Sequence, residues 1–269
     1  MRSRAVAWWH RLLRAISALN VALWSLSAVA VVRECASIHA GIDAACYLQL
    51  LLSGVYVAGC AFRCFLPVID IPRLVLVDSR FSSVLVGRSV ATVAELCFAA
   101  QWALMMHASA SSGGSPFVQA VSLAIVPLIV LAEGFSWYAV LTTEQRPHAV
   151  ENSLWGLSAA LIVACMLVIG PHRLPALYPG VIAGGVLYVA FIFAYDVPMY
   201  RARWRLDQAK GRKYLSVSEG WVDVCRRWTV SYRWEDWKDE VAWMSLYFTF
   251  GVWSSIWLVY ASLPSPHPR

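Results

Sequence analysis

The chain has 269 residues, of which 59% are hydrophobic and only 14% charged, with a mean hydropathy of +0.59 and a formal net charge of +6. A soluble domain usually carries about 25% charged residues, whereas here the apolar residues gather into runs long enough for a bilayer core of about 30 Å. That excludes an ordinary water-soluble domain, and it makes the basic excess a matter of threading and contact with anionic lipid, not nucleic acid.

Seven spans are predicted in chain order, at 12–32, 45–66, 86–108, 117–141, 151–169, 178–197 and 241–262. The fold class is all-α: a multi-pass integral membrane protein whose seven transmembrane helices form a single domain over 1–269. The first span follows the basic stretch MRSRAVAWWHRLLR. Its apolar run exceeds the roughly 7–15 residues of a signal-peptide core, so it reads as a retained anchor. If the N-terminus is cytoplasmic, 17 of the 22 Lys and Arg lie in inner segments. Arg33, Arg173 and Arg269 lie outside, and Arg63 and Arg88 sit in the inner ends of spans. This bias predicts a cytoplasmic N-terminus and an external C-terminus.

Polar residues recur at helical spacing within the early spans. Ser17, Asn20, Trp24 and Ser27 share a face of the first, and Gln49, Ser53, Tyr56, Cys60 and Arg63 share a face of the second. Arg88, Thr92, Glu95 and Trp102 do the same on the third. Such stripes face the bundle, because lipid offers no hydrogen-bond partner. For the Ser, Thr and Asn positions, and for the pair Gly180 and Gly184, the reading is helix packing. The fourth span, PLIVLAEGFSWYAVL in part, holds Glu133 six residues after Pro127 and just before Gly134. Proline predicts a kink there, and the glycine predicts close approach by a neighbour.

The long inner loop at 198–240 is basic and rich in tryptophan. Within it SVSEGWVDVCRRWTV predicts a short helix capped by Ser216 or Ser218, with Trp221, Cys225 and Trp228 on one side. Basic residues and tryptophans at that spacing suit an amphipathic helix in the headgroup region, and Trp204, Trp234, Trp237 and Trp243 extend an aromatic belt. The expected partners are membrane lipids, in particular anionic inner-leaflet headgroups. Of the seven cysteines, Cys35 and Cys46 share an outer loop, where a disulfide is expected.

Glu133 and Glu95 reach similar depths on antiparallel neighbouring spans, about 12 and 14 Å from the inner surface at 1.5 Å per residue. Arg63 and Arg88 lie nearer that surface, Glu151 and Asn152 open the fifth span, and Asp196 closes the sixth. These seven residues are the candidate ion or substrate cavity, since a carboxylate inside a membrane requires a partner, a proton or water.

Several chemistries drop out. Lys210, Lys213 and Lys238 all lie in the inner loop, so no span offers an amine for a retinal Schiff base. His39, His107 and His172 lie at the outer surface with irregular spacing and are read as ordinary interfacial histidines, so no metal site is assigned. No motif names a cofactor or an oligomeric state. Three classes of function remain, in this order. The first is a transporter or channel handling protons or cations through intramembrane carboxylates. The second is an intramembrane enzyme acting on an inner-leaflet lipid, with Glu95, Glu133 and Glu151 as acid, base or metal ligands. The third is a sensor or scaffold.

Overall fold

The computed structural model describes residues 3–37, 44–170 and 178–261. The helices are α1 (Arg4–Ser37), α2 (Ala44–Phe65), α3 (Val84–Gly113), α4 (Pro116–Thr142) and α5 (Arg146–Ile169). Next come α6 (Tyr178–Phe191), α7 (Val197–Ala209), α8 (Val217–Arg226), α9 (Trp234–Leu246) and α10 (Val252–Ala261). A π-helical turn, Ile192–Asp196, joins α6 to α7, and another, Tyr247–Gly251, joins α9 to α10. Counting each joined pair once, seven helices among the described residues are long and apolar enough to cross a membrane. The end at which α1 begins is called here the basic end, because its connections hold most of the Lys and Arg.

The helices run further than the spans predicted from hydropathy. The sixth continues through α7 to Ala209 and the last begins at Trp234, so the segment 198–240 is helical at both ends and the connection between the two helices narrows to 210–233. Hydropathy marks only the apolar middle of a helix, while Arg201, Arg203 and Arg205 carry no signal that ends one.

Buried polar side chains tie the bundle together. Ser17 and Asn20 of α1 are buried. Asn20 donates to the Phe248 carbonyl at 2.7 Å and accepts from Trp253 Nε1 at 3.1 Å. Phe248 lies in the second π turn, where the shifted register frees carbonyls, and Asn20 satisfies one of them. Gln49 and Gln101 each donate to the other's backbone carbonyl, at 2.9 and 3.2 Å, and Ser255 Oγ lies 2.5 Å from Gln101 Oε1. The half of the bundle away from the basic end is filled by an apolar layer that includes Trp102, Met106, Ile125, Ile129, Met166 and Leu258.

Two glycine expectations fail. A Cβ on Gly180, Gly184 or Gly134 would meet nothing within 4 Å, so none of them marks a helix contact. The close approach is one residue later, at Gly185, where a Cβ would lie 2.5 Å from a methyl of Val163 on α5. Helix α4 runs unbroken through Pro127.

At the basic end the connections form a small folded collar that hydropathy gave no hint of. Strand β1 (Val68–Ile69) pairs antiparallel with β2 (Leu74–Val75), and β2 pairs parallel with β3 (Thr229–Val230). Arg73 holds the collar from inside. It is 1% exposed with φ of 73°, and it donates to Asp223 Oδ2 at 2.5 Å, to Val140 O at 2.8 Å and to Asp70 O at 3.1 Å. Ser216 caps α8, as one of the two expected caps, with Glu219 completing a capping box. Helix α8 docks so closely on the end of α4 that a Cβ on Gly220 would lie 2.0 Å from the Leu141 carbonyl oxygen. It ends at Arg226, so Trp228 falls beyond it and cannot share a helical face with Trp221 and Cys225. Its buried residues are Gly220 and Val224, while Val217, Trp221 and Val222 are about half exposed.

The expected Cys35–Cys46 pairing lies outside the described side chains, and His39 and His172 lie outside the described residues. His107 is exposed.

Candidate functional site

Between the collar and the apolar layer, in the half of the bundle toward the basic end, lies a cavity of about 180 Å³. Helix α3 supplies its centre. Arg88, Thr92 and Glu95 recur at four- and three-residue steps, which sets them on one face. Helix α4 packs against that face and brings Glu133 across. Arg88 Nη2 donates to Glu133 Oε2 at 2.6 Å and to Glu95 Oε2 at 3.1 Å. Glu151 Oε1 on α5 and Asp70 Oδ2 after β1 each stand 3.9 Å from the same guanidinium. One buried cation thus faces four carboxylates.

Further bonds fix the geometry. Thr92 Oγ1 donates to Glu133 Oε2 at 2.5 Å and accepts from Trp137 Nε1 at 3.0 Å, which locks the hydroxyl between the two helices. Glu133 is 4% exposed, and its Oε1 has no hydrogen-bond partner among the described residues. Glu151 Oε2 lies 2.6 Å from His148 Nδ1, one helical turn away on α5. Carboxylate oxygens of Glu95, Glu133 and Glu151 come within 4.8 Å of one another, a spacing that suits a shared cation. Arg88 already supplies that positive charge, so a metal ion would bind there only by displacing the guanidinium.

Of the seven candidate residues, Glu95, Arg63, Arg88, Glu151, Asn152 and Asp196 line the cavity. Glu133 stands behind Arg88 and contacts it directly. Arg63 turns aside to donate to the carbonyls of Gly87 and Val68, both at 3.2 Å, and so braces the start of α3 and β1. Asn152 donates to the His148 carbonyl on its own helix at 2.9 Å. Asp196 is the last residue of the first π turn.

Sequence reasoning missed His148, Asp70, Asp239 and Glu240, all of which line the cavity. The three-residue step from His148 to Glu151 was the available signal. The others lie in polar flanks, where an acid is unremarkable until the fold turns it inward. Aromatic residues, among them Tyr188, Tyr200 and Tyr247, make up much of the remaining wall.

No family model matches this chain, and neither does any curated protein or solved structure.

Proposed function

We propose that the chain is an integral membrane protein with a cytoplasmic N-terminus and an external C-terminus, and that it transports protons or other cations through its cavity carboxylates. The observation that carries this reading is Arg88, held between Glu133 and Glu95 with two further carboxylates at 3.9 Å, in the wall of a cavity toward the basic end. Four acids around one arginine leave negative charge for a second cation to neutralise. An arriving proton or cation competes with the guanidinium for Glu95 and Glu133. Arg88 then has Asp70 as an alternative partner, toward the collar. The apolar layer beyond the cavity supports a carrier that exposes its site to one side at a time over an open pore.

Carbodiimide modification tests the reading, because the reagent attacks reachable carboxyl groups. Glu95 or Glu151 should be modified in the purified protein, with millimolar inorganic cations slowing the reaction at least several-fold. Modification that ignores every cation offered would count against the reading.

A second reading, an enzyme acting on an inner-leaflet lipid, is favoured by one observation. The cavity wall between α6 and α9 is a run of aromatic rings, not packed helix, and α6 contributes no buried residue of its own. Turnover of a phospholipid by the purified protein, lost in Glu95→Gln, would select that alternative.

A further inference from the structure

The cavity's carboxylates divide into two groups. One group, Asp70, Glu95 and Glu151, surrounds Arg88 together with Glu133 behind it. Asp196, Asp239 and Glu240 also line the cavity. None of the ion pairs among the described residues involves these three. Asp196 lies within electrostatic reach of both Glu151 and Glu240. Arg203 and His148 also stand near Asp196 and offset part of that repulsion, and a cation entering the cavity would relieve more of it.

The wall beside them is aromatic. Tyr195 stacks on Phe191 with ring centroids 5.4 Å apart, and Phe191 lies 6° from parallel with Trp243 at 6.2 Å. Trp243 in turn meets Tyr247 at 4.9 Å. The run links the π turn between α6 and α7 to the one between α9 and α10. Arg203 already places its guanidinium carbon 5.8 Å from the centroid of Tyr200, so aromatic faces in this cavity accept a cation. Tyr56 belongs to the same wall. It is fully buried and lines the cavity, with its hydroxyl beside Tyr247, Cys60 and Gly251.

A hard inorganic ion gains chiefly from oxygen ligands and holds its water against ring faces. An ammonium group with apolar substituents gains from both. We infer that the cavity binds a small organic ammonium, its charge against Asp196 and Glu240 and its apolar body against Trp243 and Tyr247. This rests on the cation reading above and names the substrate class of the same site. The chemistry is shared by a free amine and by the choline headgroup of a lipid, and the test below separates them.

Isothermal titration of the purified full chain in detergent with choline, tetraethylammonium and the uncharged isostere 3,3-dimethylbutan-1-ol tests the inference. Dihexanoyl phosphatidylcholine serves as the lipid arm. One or both ammonium compounds, or the short lipid, should bind saturably, and the uncharged isostere should not. Binding of the lipid alone would identify the source as a headgroup. Asp196→Asn and Glu240→Gln should each weaken binding at least 5-fold. Trp243→Leu should weaken it roughly 2- to 30-fold, the range of a cation–π contact. Trp243→Phe keeps a ring and should restore most of the loss, which a merely misfolded wall would not do. Equal binding of the isostere, or undiminished binding in both acid variants, would overturn the inference. Carbodiimide protection by inorganic cations without any ammonium binding would overturn it while leaving the cation reading in place. Failure of both would remove both.

Discussion

Arg88 is buried because Glu133, Glu95, Glu151 and Asp70 surround it, and those acids are tolerated only because Arg88 is there. This interdependence makes the single variants unequal. Glu133→Leu removes the nearest partner but leaves Arg88 with Glu95. It should lower stability by about 2–3 kcal/mol, less than the roughly 3–5 kcal/mol of a lone broken pair. Arg88→Leu leaves four acids facing one another and should be the worse variant, to the point of failing to fold. Thermal unfolding in detergent orders the two, and the reverse order would contradict the geometry. Thr92→Val keeps the shape while stripping Glu133 and Trp137 of a hydrogen-bond partner, and a loss of about 1–3 kcal/mol is expected in the same assay. At this scale the sequence was informative where charge is out of place. Glu133 was conspicuous within an apolar run, and the spacing of Arg88, Thr92 and Glu95 revealed their common face. Asp70 and Glu240 sit where charge is ordinary, so only the folded chain brings them to the cavity.

The helices were legible in number but not in their details. Apolar runs mark spans, whereas a π turn differs from an α turn by one residue in register and leaves no pattern in hydropathy. Two-residue strands are too short to alternate, so the collar went unread. The glycines were misassigned by a motif when the contact itself falls at Gly185. Gly185→Leu should therefore disrupt the packing of α6 on α5, while Gly184→Leu should be tolerated. A comparison of their melting temperatures checks the correction, and equal effects would refute it. In the collar, Gly220→Ala forces a methyl against a backbone carbonyl and should cost roughly 1–3 kcal/mol, detected as new protease cleavage within 210–233. The capping box adds a pH response. Ser216 donates to Glu219 Oε2 from its hydroxyl at 2.6 Å and its backbone N–H at 2.8 Å, and these bonds hold the carboxyl below the usual glutamate value. A lowered carboxyl stabilises above the unfolded value near pH 4.3, and the benefit is lost as pH falls through the folded value. Amide exchange across α8, corrected for intrinsic rates, should quicken only in acid, and Glu219→Gln should remove that acid-side change.

For the whole molecule, the threading and the site make one account: the proposed cytoplasmic face carries the basic connections and the collar, and the acidic cavity lies toward it. An impermeant thiol reagent added outside intact cells should label a cysteine at Ser111 and miss one at Gln208, in a background without Cys35, Cys46 and Cys225. Labelling at Gln208 would reverse the orientation and place the cavity toward the outside. The central claim is that the Arg88 cluster moves cations, not merely clamps helices, and it is tested most directly by flux through the reconstituted protein. Proteoliposomes containing the wild-type chain should dissipate an imposed proton or cation gradient faster than empty vesicles. Glu133→Gln, which keeps the shape and removes the charge, should reduce that rate at least 10-fold while melting within a few degrees of wild type. Flux in Glu133→Gln equal to wild type, or none in the wild type under any gradient, would leave the cluster as a packing device and contradict the account.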